Sequence, residues 1–194
     1  MRIEFLVGFS QGLARVSMQP EQGLLGLEHA DGSVGPSHWG CIDHTGKWVI
    51  PRAFVGAGDF HEGLAAVIGT DGTWGYIDTA GQFVIAPHFE AAKEFSEGLA
   101  SVRVAGKWGF IDRRGTVVIA PQFEEVGGFR GGMTGIASGR KVGYVNSAGQ
   151  VVVPPTLEYG SEFTNGVALV SDSMGYKASI PVVGCVAALR RSEP

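Results

Sequence analysis

Short runs of β-branched and aromatic residues, set apart by Gly, Asp and Pro, recur along this chain in threes. The first run of each set follows a glycine, at residues 12–16, 63–67, 98–102, 132–136 and 166–170. The second has a Gly near its start, preceded in three sets by Trp, at residues 39–43, 74–78 and 108–112. Residues 142–146 stand there in the fourth set, and Met174, Gly175 and Tyr176 in the fifth. The third run is the most aliphatic, at residues 48–50, 83–85, 117–119 and 151–153. Runs of this length and composition predict β-strands. Along the second run, Trp108, Phe110 and Asp112 share one face, and Gly109 and Ile111 share the other. A glycine there lets another backbone or a large side chain come close.

The residues between the runs predict turns. Asp43, Asp78, Asp112 and Asn146 are each followed three positions later by Gly46, Gly81, Gly115 and Gly149. An Asp or Asn side chain accepts from a nearby backbone N–H, and the Gly supplies a left-handed residue. Together they predict a type I turn followed by a bulge. The glycine entering each first run is predicted to have positive φ. Pro87 and Pro121 follow third runs. Lacking a ladder donor, each is expected to end its strand, with a short connector leading on.

Anchored on Phe9, Phe60, Phe95, Phe129 and Phe163, the sets are spaced by 51, 35, 34 and 34 residues. The units are 9–59, with an insertion at 17–37, then 60–94, 95–128, 129–162 and 163–183, with a tail at 184–194. Such units cannot bury their faces alone, so neighbours must stack. The expected fold is all-β: a repeat array of about five antiparallel three-stranded units of about 35 residues. An open or partly closed stack is favoured, with a small five-bladed propeller-like ring as the alternative. The insertion has the composition of a separate hairpin, and the tail of a cap on the array.

Composition supports this reading and narrows the function. The 31 glycines recur at fixed places, which indicates tight turns rather than a linker. Hydrophobic residues are 44% of the chain and charged residues 18%, which argues for a folded core. A net charge of −4 without a clustered basic surface argues against nucleic acid as a partner. No apolar stretch approaches the length of a membrane span. The N-terminal segment carries Glu4 and lacks the pattern of a signal peptide. Membrane insertion is therefore not expected, and a cytoplasmic location is. Cys41 and Cys185 are read as reduced thiols in preference to a bridge between the two ends.

The Gly-Leu-Ala-x-Val, Trp-Gly-Tyr/Phe-Ile-Asp and Gly-x-x-Val-Ile-x-Pro segments together resemble the WG repeat of bacterial proteins. The match runs from about Phe9 to Val183. The resemblance implies a β-rich repeat module and brings no catalytic residues. Trp39, Trp74, Trp108, Gly40, Gly75, Gly109 and Gly143 are its recurring positions, with Asp43, Asp78, Asp112 and Asn146 at the turns. The fourth and fifth units depart from it in lacking the Trp, and the first has Cys41 where an aromatic usually stands.

Candidate chemistry is sparse. His38, Cys41 and His44 have ligand types suited to zinc. Alternation puts His38 and Cys41 on opposite strand faces, so a buried structural Cys with two surface histidines is preferred. Glu62, Glu97 and the turn aspartates recur once per unit, whereas catalysis needs one asymmetric site; cap and turn duty explains them better. No enzyme, metal or cofactor is expected. The tryptophans offer a row for a glycan or other small ligand. A place in the core between units is preferred, because Val142 and Met174 replace them with apolar residues. The expected function is a non-catalytic module that binds a protein partner, with carbohydrate or cell-envelope ligand binding through exposed Trp as the alternative.

Overall fold

The computed structural model describes residues 3–6, 8–18, 38–172 and 177–181. The expected hairpin of the insertion, Met174 with its two successors, Cys185 and the tail lie outside the described residues.

Among the described residues every element is a β-strand. The first sheet contains β1 (Ile3–Leu6), β2 (Leu13–Met18), β3 (His38–Asp43) and β4 (Trp48–Phe54). The second contains β5 (Gly56–Ala57), β6 (Leu64–Ile68), β7 (Trp74–Asp78) and β8 (Phe83–Phe89). The third contains β9 (Ala91–Ser96), β10 (Leu99–Val104), β11 (Lys107–Asp112) and β12 (Val117–Phe123). The fourth contains β13 (Glu125–Val126), β14 (Met133–Ser138), β15 (Lys141–Asn146) and β16 (Val151–Leu157). The fifth contains β17 (Tyr159–Gly160), β18 (Val167–Ser171) and β19 (Lys177–Pro181). Each sheet is an antiparallel meander in chain order, and none of them closes into a barrel. Among the described residues no helix is long and apolar enough to cross a membrane.

The all-β repeat is as expected, but four of the sheets have four strands rather than three. The extra strand is the connector, which pairs with the first run of the next set. In the fourth sheet Glu125 and Val126 face Ala137 and Ile136, and the Gly127 amide continues the ladder to Gly135 O at 2.9 Å. The same bond joins Gly58 to Ala66 in the second sheet and Ser161 to Leu169 in the fifth. After β13 the chain returns through a two-residue turn. Arg130 and Met133 exchange backbone bonds, while Gly131 and Gly132 both have positive φ. That conformation belongs to the tight hairpin whose twist matches its strands. All five entry glycines have the positive φ expected of them.

The expectation that proline ends the third strand is overturned. Pro87, Pro121, Pro154 and Pro155 lie inside β8, β12 and β16. Pro87, Pro121 and Pro155 sit where these strands bulge against their inner neighbours, at positions that need no ladder N–H.

Contacts divide the chain into compact units of residues 1–94 and 95–194. In the first, Leu13, Cys41, Ile50 and Phe54 pack with Phe60, Ala65, Val67 and Ile77 from the second sheet. In the second, Met133, Tyr144, Val153 and Leu157 pack with Phe163, Ala168 and Val170 from the fifth. β11 is buried on both faces: Phe110 and Ile111 are adjacent, and both are buried. A sheet covered on both sides produces this near-continuous apolar run.

Candidate functional site

The Trp-Gly positions build the junction between the second and third runs of each set. Trp108 pairs with Phe123 and Phe110 with Ile119, so β12 advances four residues where β11 advances two. The surplus on β12 bulges against Gly109. A Cβ there would lie 2.6 Å from both Ile119 O and Pro121 N, closer than any side chain tolerates. Gly75 has the same relation to Ile85 O and Pro87 N, Gly40 to Ile50 O, and Gly143 to Val153 O. The glycine is thus required by the bulge, and the bulge by the length of the third run. The residue before it pairs across the strands: Trp39 with Phe54, Trp74 with Phe89, and Val142 with Leu157. Trp108 is buried, while Trp39 and Trp74 are half-buried.

The turns work as their residues predict. Asp112 Oδ1 accepts from the amides of Arg114 and Thr116 at 2.9 and 2.8 Å. Asp43 and Asp78 do likewise, as does Asn146 toward Ala148 and Gln150. The bond from Thr116 in particular holds the Asp112 carboxyl below its ordinary range. A carboxyl lowered on folding stabilises fully above its unfolded value, and that contribution fades as pH falls through the folded one. Asp112→Asn is therefore expected to change neutral stability little, since Asn146 makes the same bonds, and to remove part of the acid sensitivity. Urea unfolding at about pH 7 and about pH 3 checks this.

Side chains tie the first set to the second, the third to the fourth and the fourth to the fifth. Ser96 Oγ donates to Phe129 O at 2.7 Å, and Ser10 Oγ to Phe60 O at 2.6 Å. Glu97 accepts from the amides of Gly131 and Gly132 at 2.6 and 2.7 Å, and Gln11 accepts from that of Gly63. For Glu97, cap duty is what the structure shows. Tyr144 donates to Ser161 O at 2.6 Å, and Tyr76 to Lys93 O at 2.7 Å. Burial pushes the Tyr144 hydroxyl up to about 12 and that of Tyr76 further in the same direction.

Of the candidate metal triad, the structure places Cys41 in the core of the first unit. That residue is a buried free cysteine, His44 is exposed in its turn, and the side chain of His38 lies outside the described residues. Burial raises the Cys41 thiol from 9.0 to about 11, with Arg15 lowering it and Asp59 raising it. A protonated thiol is a poor ligand and nucleophile. Its raised value contributes stability below the unfolded pKa, and that contribution is lost as pH climbs from about 9 to about 11. In a Cys185→Ser background, Cys41 is expected to resist a thiol reagent until urea unfolds the chain. Cys41→Ala is expected to flatten the alkaline loss of stability.

Sequence reasoning identified the third runs as strands but missed how much of them faces solvent. Trp48 and Val49, Phe83 and Val84, and Val117 and Val118 are exposed pairs at one register of β4, β8 and β12, and Val151 is exposed in β16. The signal was two adjacent apolar residues at the start of a proline-bearing run. Position on the outside of a sheet, which makes them exposed, is not a local property.

The family model described as WG containing repeat matches residues 39–68, 74–108, 108–139 and 143–172. No curated protein matches the chain. Among solved structures, the computationally designed Ika8 protein superposes with a TM-score of 0.53 at 15% identity over 95% of this chain. The chain spans 59% of the length of that protein, and the likeness concerns the fold alone. The WD40 beta propeller domain of Doa1 matches with a TM-score of 0.42 at 9% identity, over 93% of this chain and 65% of that one. The computationally designed Ika4 protein matches at 0.42 and 11% identity, over 63% and 88%.

Proposed function

This chain belongs to the WG containing repeat family, and from that premise we propose that it is a non-catalytic binding module that docks a protein partner on its outer strands. The observation that carries the reading is the recurrence of exposed apolar pairs at one register, from Trp48 and Val49 to Val117 and Val118. Single exposed apolar residues are ordinary on a protein surface, whereas a repeated patch marks an interaction site. Bulges in β8, β12 and β16 blunt these strands against pairing with another backbone. A partner therefore meets side chains rather than adding a strand. The glycan alternative finds less support, because the face of Trp108 is buried. The free thiol of Cys41 favours a cytoplasmic setting.

A photocrosslinking residue placed at Val118, in cells that make this protein, tests the reading. Discrete protein adducts are expected from Val118 and not from Arg114 in the adjoining turn. Equal labelling at both sites, or none at Val118, would contradict it.

A further inference from the structure

We propose that a cavity beside β14 is a binding slot for a guanidinium group, supplied by an arginine side chain of the docking protein. The source of the group rests on the function proposed above; the slot does not. The chain itself shows how such a group is held. In the first sheet Arg15 donates from Nε to Asp59 Oδ1 at 2.8 Å and from Nη1 to Ala57 O. Its guanidinium lies 5.4 Å from the Trp39 ring. A carboxylate, a carbonyl and an apolar wall thus meet one planar cation, the arrangement that suits arginine better than lysine.

In the fourth sheet the repeat register places Gly135 where Arg15 stands. Gly160, Glu162 and Val142 stand for Ala57, Asp59 and Trp39. All four line a cavity of about 210 Å³. The receiving groups are present, and this chain supplies no cation of its own at position 135. Nothing in the backbone demands a glycine there, because Gly135 lacks a positive φ and a Cβ would meet only Tyr144 Cε1, at 3.9 Å. Tyr144 replaces Cys41, but its ring is packed on Phe163 and its hydroxyl bonded to Ser161, and it is not part of the lining.

Position 135 varies from set to set, but its neighbour does not, and there the fourth set departs from the repeat. Thr134 replaces the alanine found at 14, 65, 100 and 168. It is 1% exposed and lines the cavity, and its hydroxyl makes one long bond, 3.4 Å, to Gly135 O. Burying a hydroxyl so loosely satisfied is costly unless it serves a ligand. Glu125 adds a second carboxylate to the lining. Arg130 Nε engages Glu162 Oε2 at 2.8 Å, and a carboxylate has lone pairs for a further donor.

Titration of the ¹⁵N-labelled full chain with Nα-acetyl-arginine methylamide tests the slot. Saturable shifts are expected at the amides of Gly135, Gly160 and Glu162. The citrulline analogue, equal in shape but uncharged, should bind roughly tenfold more weakly. Gly135→Arg should fold and abolish binding, and Glu162→Gln should weaken it. If Gly135→Arg loses the native spectrum, Gly135→Leu, with the side chain that Leu169 carries at the equivalent place, provides the same block. Equal affinity for citrulline, no saturable response at these amides, or binding unchanged by a folded blocking variant would overturn the proposal. The probe is a small molecule, so failure here leaves the crosslinking test of the outer strands to be judged separately.

Discussion

Gly109→Ala is expected to destabilise the protein by about 3 kcal/mol or more, the upper part of the range for forcing atoms into a packed site. The added methyl would meet two backbone atoms, Ile119 O and Pro121 N, each at 2.6 Å. Neither can swing aside as a side chain can. Relief requires β12 to leave β11 and would disrupt the pairing of Trp108 with Phe123. Gly128→Ala is the control: no atom lies within 4 Å of its added Cβ, and its φ is not positive. Urea unfolding of the two variants, followed by Trp fluorescence, should separate them widely. Similar stabilities would show that the bulge yields and that the recurring glycine answers another need.

Phe129→Ala should cost about 3–5 kcal/mol, as complete truncation of a buried aromatic does. Phe129 is buried in contact with Phe110, ring centroids 4.9 Å apart and planes at 66°, an edge-to-face pair. Phe163 repeats this arrangement on Tyr144 at 5.1 Å. Phe9 occupies the same repeat position but is 54% exposed. Phe9→Ala should therefore cost under about 1 kcal/mol, the ordinary scale of a surface change. Position in the repeat is identical in the two variants, and only the packing differs. Equal losses would mean that the phenylalanine serves its own turn rather than the sheet it packs on.

The contrast between these residues shows what could be read from the chain. The spacing of Phe9, Phe60, Phe95, Phe129 and Phe163 revealed the repeat because each copy solves the same packing problem with the same residues. The turns were legible for a similar reason: Asp112 and Gly115 complete their chemistry within a few residues. The connector strand was not. β13 and β17 are two residues long, too short to show alternation, and they are strands only because β14 and β18 lie beside them. Pro121 misled because a proline reads the same at the end of a strand and within a bulge. The cavity had a signal that went unread, since Thr134 breaks a pattern the other sets keep. The sequence alone did not show that Thr134 and Gly135 open onto one space.

Residue-resolved hydrogen exchange tests most directly the claim that each connector is a strand of the sheet that follows it. The amides of Gly58, Gly127 and Ser161 donate at 2.7, 2.9 and 2.9 Å to Ala66, Gly135 and Leu169. They should exchange as slowly as amides within β14. Exchange at the rate of the exposed turn at Arg114 would return these segments to loops, and the four-stranded unit would fall with them.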